Sequence, residues 1–141
     1  MNHDVYPTEY PRDMLKMVKT IAMVGASPNS TRPSHGVMRF LLARGFHVIP
    51  INPGHAGKEI LGQKVYASLA DVSEPIDMID IFRASDAVAS VVDEAMALSP
   101  KPKLVWMQLG IRNDAAAAVA EAQGTKVVMN RCPAIELHHS I

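Results

Sequence analysis

Hydrophobic residues gather in five short runs, at 21–24, 47–51, 78–82, 104–109 and 126–129. They are rich in Val, Ile, Leu and Met and alternate little with polar residues. Such runs mark strands whose two faces are both covered. Between them the apolar spacing changes to that of helices. Over 34–44, Val37, Met38, Leu41 and Leu42 share one face, and Gly45 supplies a stop. Over 86–98, Val88, Val91, Val92 and Ala95 form a stripe, with Ser85 placed to cap it. Residues 113–123 are alanine-rich, opened by Asn113 and closed by Gly124. A helix over 12–19 follows Pro11, which a first turn tolerates, and 68–72 reads as one turn capped by Ser68.

Strand–helix alternation at this spacing predicts an α/β fold, a doubly wound parallel sheet of about five strands with helices on both faces. Right-handed crossovers leave few topologies. With the runs numbered along the chain, the favoured order is 3-2-1-4-5, and 2-1-3-4-5 fits the same periodicity. A chain of 141 residues is one domain, 1–141, large enough for a core without metal or disulfide.

Composition narrows the function. At 48% hydrophobic and 20% charged, the chain is not of the disordered class. Fourteen basic residues balance fourteen acidic ones, unlike a nucleic-acid binder's basic excess. One cysteine forbids an intrachain disulfide and suits a reducing compartment, so a cytoplasmic location is expected. The apolar stretches, such as 115–120, fall well short of the roughly 18 residues of a membrane span. The N-terminal residues, broken by Pro7 and Pro11 and charged at Asp4, Glu9, Arg12 and Asp13, do not resemble a signal peptide.

In such sheets ligands bind beyond the carboxyl ends of the strands. After the first run, Gly25 allows a tight turn, Ser27, Thr31 and Ser34 offer hydroxyls, and Arg32 offers a forked cation beside a helix start. This set can hold phosphate, or simply be a polar loop capping a helix, since the full G-x-G-x-x-G spacing is missing. After the second run stands Asn52, where a nicotinamide-dinucleotide site usually has a carboxylate. His55 and Lys58 instead suit an extra ribose phosphate, as in coenzyme A or NADP, or a solvated turn. Phe82, Arg83 and Ala84 follow the third run, where Arg83 can close on a pyrophosphate and Phe82 can face adenine, or be core. Gln108, Gly110, Ile111 and Arg112 follow the fourth, where backbone at Gly110 can approach a ligand closely.

Catalytic and metal candidates are weaker. Cys132 with His138 and His139 suggests a Cys–His nucleophile, but nearness in sequence does not orient an imidazole, and a free cysteine is usually a small buried hydrophobe. The six histidines show no metal-ligand spacing. Asp80 on the third run is expected to be a satisfied buried group or a strand-face charge, and Trp106 and the nine methionines are expected to fill the core. No catalytic residue and no metal ligand is assigned.

Taken together, Val24-Gly25-Ala26-Ser27-Pro28 with Arg32-Pro33-Ser34, Ile51-Asn52-Pro53-Gly54, Val65-Tyr66-Ala67-Ser68-Leu69, Asp80-Ile81-Phe82-Arg83, Trp106 through Asn113 and Met129-Asn130-Arg131-Cys132-Pro133 resemble the CoA-binding domain family. That Rossmann-like family is related to the N-terminal domain of the succinyl-CoA synthetase α subunit, and the likeness runs over about residues 12–137. It implies coenzyme A or acyl-CoA lying across the strand ends. By position, Gly25, Ala26 and Ser27 would contact phosphate, and Pro53 would border adenosine. His55 stands where the synthetase commonly has lysine, so the 3′-phosphate contact would fall to His55, Arg32 or Lys58. Phe82, Arg83 and Ala84 would line the adenine and pyrophosphate side, and Gly110 and Ile111 the pantetheine arm. The synthetase's phosphohistidine domain and nucleotide-grasp subunit have no counterpart in these residues, so binding without ligation is expected. An NADP-linked oxidoreductase or redox sensor, and a detached binding subunit of an acyl-CoA ligase, are the competing functions. The expected partner is a small-molecule nucleotide cofactor, with self-association compatible with the zero net charge, and neither nucleic acid nor membrane is expected as a partner.

Overall fold

Each of the five apolar runs forms a parallel strand. In the computed structural model, which describes residues 1–138, the chain runs α1 (Tyr10–Leu15), β1 (Thr20–Val24), α2 (Pro33–Ala43), β2 (His47–Ile51), β3 (Glu59–Ile60), β4 (Gln63–Lys64), β5 (Met78–Ile81), α3 (Val88–Met96), β6 (Leu104–Met107), α4 (Asp114–Ala122), β7 (Lys126–Val128) and α5 (Pro133–His138). The main sheet has the order β2-β1-β5-β6-β7, all parallel. It is the expected α/β, Rossmann-like doubly wound sheet.

In terms of the five runs this order is 2-1-3-4-5, which corrects the favoured 3-2-1-4-5. The cause lies at the outer edge of β2. Tyr66 occupies it through a single parallel bridge to Ile51. The Tyr66 amide donates to the Pro50 carbonyl at 3.0 Å, and the Asn52 amide donates to the Tyr66 carbonyl at 2.9 Å. A segment too short to read as a strand has taken the third-strand place. The chain then crosses to the far side of β1, where the Met78 run pairs with it.

Period-2 alternation explains why both faces are apolar. Ala22, Val24, Ile79, Ile81, Val105 and Met107 pack with Val91, Val92 and Ala95 of α3 and Ala116, Ala117 and Ala120 of α4. Ile21, Met23, Met78, Leu104, Trp106 and Val128 pack with Leu15 of α1, Val37, Met38 and Leu41 of α2, and Leu137 of α5. Trp106 is fully buried, and its Nε1–H donates to the Arg131 carbonyl at 2.8 Å.

Several boundaries shift. The helix expected over 12–19 is Tyr10–Leu15, and the turn near Ser68 is a 3-10 helix, Leu69–Asp71. Ser85 caps nothing. A 3-10 turn, Ser85–Ala87, precedes α3, and the Ser85 hydroxyl accepts from the Arg112 amide at 3.2 Å. The hairpin β3–β4 turns at Leu61 and Gly62, both at positive φ (49° and 79°). Leu-Gly lacks the Asn or Asp that usually announces such a turn. Asp77, at the opposite end of β5 from the loops considered above, joins strand starts: its Oδ2 accepts from the Lys19 and Thr20 amides at 2.9 and 3.1 Å. Burial pushes its carboxyl up, but these amides and Lys103 outweigh it, and the pKa falls below the ordinary value.

Candidate functional site

The connection after β1 lays α2 on one face of the sheet, and the connection after β5 lays α3 on the other. Neighbouring strands whose helices part in this way leave a crevice beyond their carboxyl ends. Gly25 stands at its mouth with φ +89°. A Cβ there would lie 2.5 Å from the Phe82 carbonyl oxygen and 3.1 Å from Arg83 Cδ. The two strand ends approach so closely that only glycine fits.

The loop from Gly25 to α2 is shaped by its own polar groups. The Ser27 amide donates to Ser34 Oγ at 3.2 Å, and the Asn29 amide donates to Ser27 Oγ at 3.1 Å. Asn29 Oδ1 accepts from the Thr31 amide and hydroxyl at 3.0 and 2.8 Å. Asn52 staples the next loop onto this one: its Nδ2 donates to the Ala26 carbonyl at 2.8 Å, and its Oδ1 accepts from the Gly54 amide at 2.9 Å. An aspartate at this position could not make the first bond.

The start of α2 is left open. Arg32 occupies the cap position without a side-chain capping bond, and the first turn holds no acidic residue. The positive end of the helix dipole is therefore not offset locally. Arg32 and Arg83 are both exposed, and neither makes a salt bridge among the described residues.

Two adjoining clefts fill the crevice. The larger, about 700 Å³, is lined by Gly25, Ser27, Arg32, Pro33, Ser34, Val37, Asn52, Phe82, Arg83, Ala84, Gln108, Leu109, Ile111 and Cys132. The smaller, about 360 Å³, shares Gly25, Asn52, Phe82 and Arg83 and adds Pro53, Ser68, Ser90 and Glu94 among others. Of the residues singled out from sequence, Gly25, Ser27, Arg32, Ser34, Asn52, Phe82, Arg83, Ala84, Gln108 and Ile111 meet in the larger cleft, and Pro53 joins the smaller. Ala26 is buried behind the wall, its carbonyl held by Asn52. His55 and Lys58 lie on the loop beyond Pro53 and line neither cleft. Gly110 also lines neither, and its amide donates to Asn130 Oδ1 at 2.7 Å.

Pro33, Val37, Leu109 and Cys132 were not assigned to the site from sequence. Val37 lies three residues after Ser34, one turn further along the same helix face, so the helical period itself could have pointed to it. Cys132 is 8% exposed and belongs to the cleft wall. His138 closes the six-residue α5, roughly 9 Å further on at ~1.5 Å per residue, and is exposed. His139 lies outside the described residues. Among the described residues no group of His, Cys, Asp and Glu could hold a metal ion. Nor is any helix there long and apolar enough to cross a membrane.

Among the described residues, two buried side chains carry oxygens without a hydrogen-bond partner. Asp80 is fully buried on β5, and both its carboxylate oxygens go unbonded, so it is neither the satisfied group nor the surface charge expected. Alternation puts it on the Met78 face, the α2 side. Burial raises its pKa well above the ordinary value. Gln108 is 5% exposed, with an unpartnered Oε1.

The chain matches the model of a protein family described as CoA binding domain over residues 19–138. It is 32% identical over 130 residues to the uncharacterized protein YneT of Bacillus subtilis, covering 92% of each chain. It is 30% identical over 86 residues to an acetate–CoA ligase (ADP-forming) of Methanocaldococcus jannaschii, covering 61% of this chain and 12% of the ligase. Among solved structures, a Thermus thermophilus protein described as cell-free ID.343 superposes with a TM-score of 0.88 at 37% identity, covering 96% of this chain and all of that one.

Proposed function

This chain belongs to the CoA-binding domain family, and on that premise we propose that it binds coenzyme A or an acyl-CoA across the carboxyl ends of β1 and β5, without ligase chemistry of its own. The observation that carries this reading is the open start of α2 facing a cleft with two guanidinium groups that have no salt bridge among the described residues. Pro33 has no N–H, and the Arg32 and His35 amides donate to the Asn29 and Arg32 carbonyls at 3.0 and 3.1 Å, so what the start of α2 offers a diphosphate is the uncompensated helix dipole and the Ser34 turn beside the forked cations.

In this arrangement the diphosphate sits between Gly25–Ser27 and the Ser34 turn, gripped by Arg32. Arg83, Phe82 and Ala84 border the adenine side, with Pro53 against the adenosine. Gln108 and Ile111 border the pantetheine arm, and Gly110 shapes the turn between them. The 3′-phosphate falls to Arg32 or to His55 and Lys58 beyond the rim. The ligase relative carries CoA in its name, which supports the same ligand class.

The test is calorimetric titration with coenzyme A, dephospho-coenzyme A and NADPH. Coenzyme A is expected to bind most tightly. Losing one charge-assisted phosphate contact, about 1.5–3 kcal/mol, should weaken the dephospho form by about ten- to a hundredfold. Equal binding of the two forms removes the ribose-phosphate assignment. Tighter binding of NADPH than of coenzyme A replaces the proposal with the oxidoreductase alternative.

A further inference from the structure

We propose that the smaller cleft is a base pocket in which Glu94 reads the 6-amino group of the coenzyme's adenine, an inference that rests on the coenzyme A reading above. The two clefts meet at a shared rim of Gly25, Asn52, Phe82 and Arg83. A ligand with its diphosphate at that rim can send one arm into each. The smaller cleft, about 360 Å³, stands at the low end of the ~300–1,000 Å³ of small-molecule sites. It suits a nucleoside and not a whole coenzyme. Part of its lining is apolar: Val24, Ile51, Leu69 and Val91 are all buried.

The polar side chains deeper in this cleft share one character, which is that they accept. The Ser68 hydroxyl donates its single hydrogen to Asp71 Oδ2 at 3.0 Å, and the Ser90 hydroxyl donates to the Ala87 carbonyl at 3.0 Å. What both oxygens have left is lone pairs. Glu94 follows Ser90 by one turn of α3, is exposed, and makes no salt bridge among the described residues. A carboxylate has no hydrogen to give. The guanidinium of Arg83 belongs to the shared rim, where the diphosphate lies.

Such a cleft favours a flat apolar ligand with a donating edge. Adenine is one: it has two π faces and an exocyclic amine. The negative charge of Glu94 also repels phosphate, so the 3′-phosphate stays outside the cleft while the base enters. Hypoxanthine, which differs by a 6-oxo group in place of the amine, sets an acceptor against acceptors. Losing a hydrogen bond to a charged group should weaken it by about ten- to a hundredfold. In Glu94→Gln the side-chain amide can turn its N–H toward the 6-oxo group, so the preference should shrink to within about threefold.

Coenzyme A and its hypoxanthine analogue are titrated calorimetrically into the wild-type protein, Glu94→Gln and Glu94→Ala, with thermal unfolding confirming that each variant is folded. Glu94 is an exposed helix position, and both replacements are good helix formers. The wild type should prefer coenzyme A by at least tenfold, and both variants should lose most of that preference. If coenzyme A binds but the wild type takes both bases alike, or neither variant lowers the preference, the role of Glu94 is overturned and the binding function stands. If coenzyme A does not bind the wild type, the binding function falls, and the base pocket with it.

Discussion

Two helices begin at the same edge of the sheet and finish their first turns in opposite ways. α4 is sealed by its own sequence. Asn113 caps it, its Oδ1 accepting from the Ala116 amide at 3.0 Å, and Asp114 adds a negative charge to the first turn. Arg112 is tied to Asp114 and Asp4, both at 2.7 Å, and so is drawn away from any ligand. α2 has none of this: its cap residue is an arginine making no capping bond, and its first turn is without an acid. Side-chain capping is worth about 1 kcal/mol, so α2 forgoes local stability that α4 keeps. The difference separates a helix start that is finished from one that, on the proposed function, is left for an anion. The cleft lies against α2, lined by its Arg32, Ser34 and Val37.

The largest effect should come from closing the approach to α2. Gly25→Ala places a Cβ against the Phe82 carbonyl at a φ that alanine resists. We expect a loss of about 2–4 kcal/mol in stability by denaturant titration and at least a hundredfold loss of coenzyme A affinity by calorimetry.

Arg32→Asp makes the start of α2 resemble that of α4. Coenzyme affinity should fall by at least about a hundredfold, from the lost contact and the new repulsion. The helix should gain roughly 0.3–1 kcal/mol from the restored cap. A variant that is both more stable and unable to bind would show that the open start serves the ligand. Unchanged affinity would break the comparison.

Asp80 lies on the α2 side of the sheet. Its folded-state pKa is raised, so on going up in pH the unfolded chain ionises first and the folded state loses relative stability. Asp80→Asn removes that slope. In acid the variant and the parent should differ little in their pH response. Moving from the ordinary carboxylate range toward neutrality, the variant should gain on the parent by up to about 1.4 kcal/mol per pH unit, as measured by denaturation midpoints at successive pH values. A parallel response of both proteins would contradict the burial account.

Asn113→Ala, the converse of the Arg32 variant, strips α4 of its cap. It should cost about 1 kcal/mol while leaving coenzyme affinity within twofold, read by thermal unfolding and calorimetry.

Much of this was legible because the physics is local. Runs fully buried on two faces announce themselves, as Ile79 and Ile81 do beside Met78, and the stripe Val37, Met38 and Leu41 placed α2 within a residue of its observed ends. The loops that meet in the cleft follow from strand direction alone. What escaped depended on distant contacts. The strand order turned on Tyr66 occupying the edge of β2 with one bridge, a feature without periodicity. No composition signals that Asp80 would be buried without a partner. The place of Cys132 in the wall beside α2 comes from the turn after β7, which sequence spacing does not encode.

The most direct measurement is an amide ¹H–¹⁵N titration of the labelled protein with coenzyme A. The account predicts the largest shifts across Gly25 to Ser34 and at Arg83, with Asn113 to Ala116 nearly still. Shifts centred on the start of α4, or a spectrum unmoved at saturating coenzyme, would contradict it.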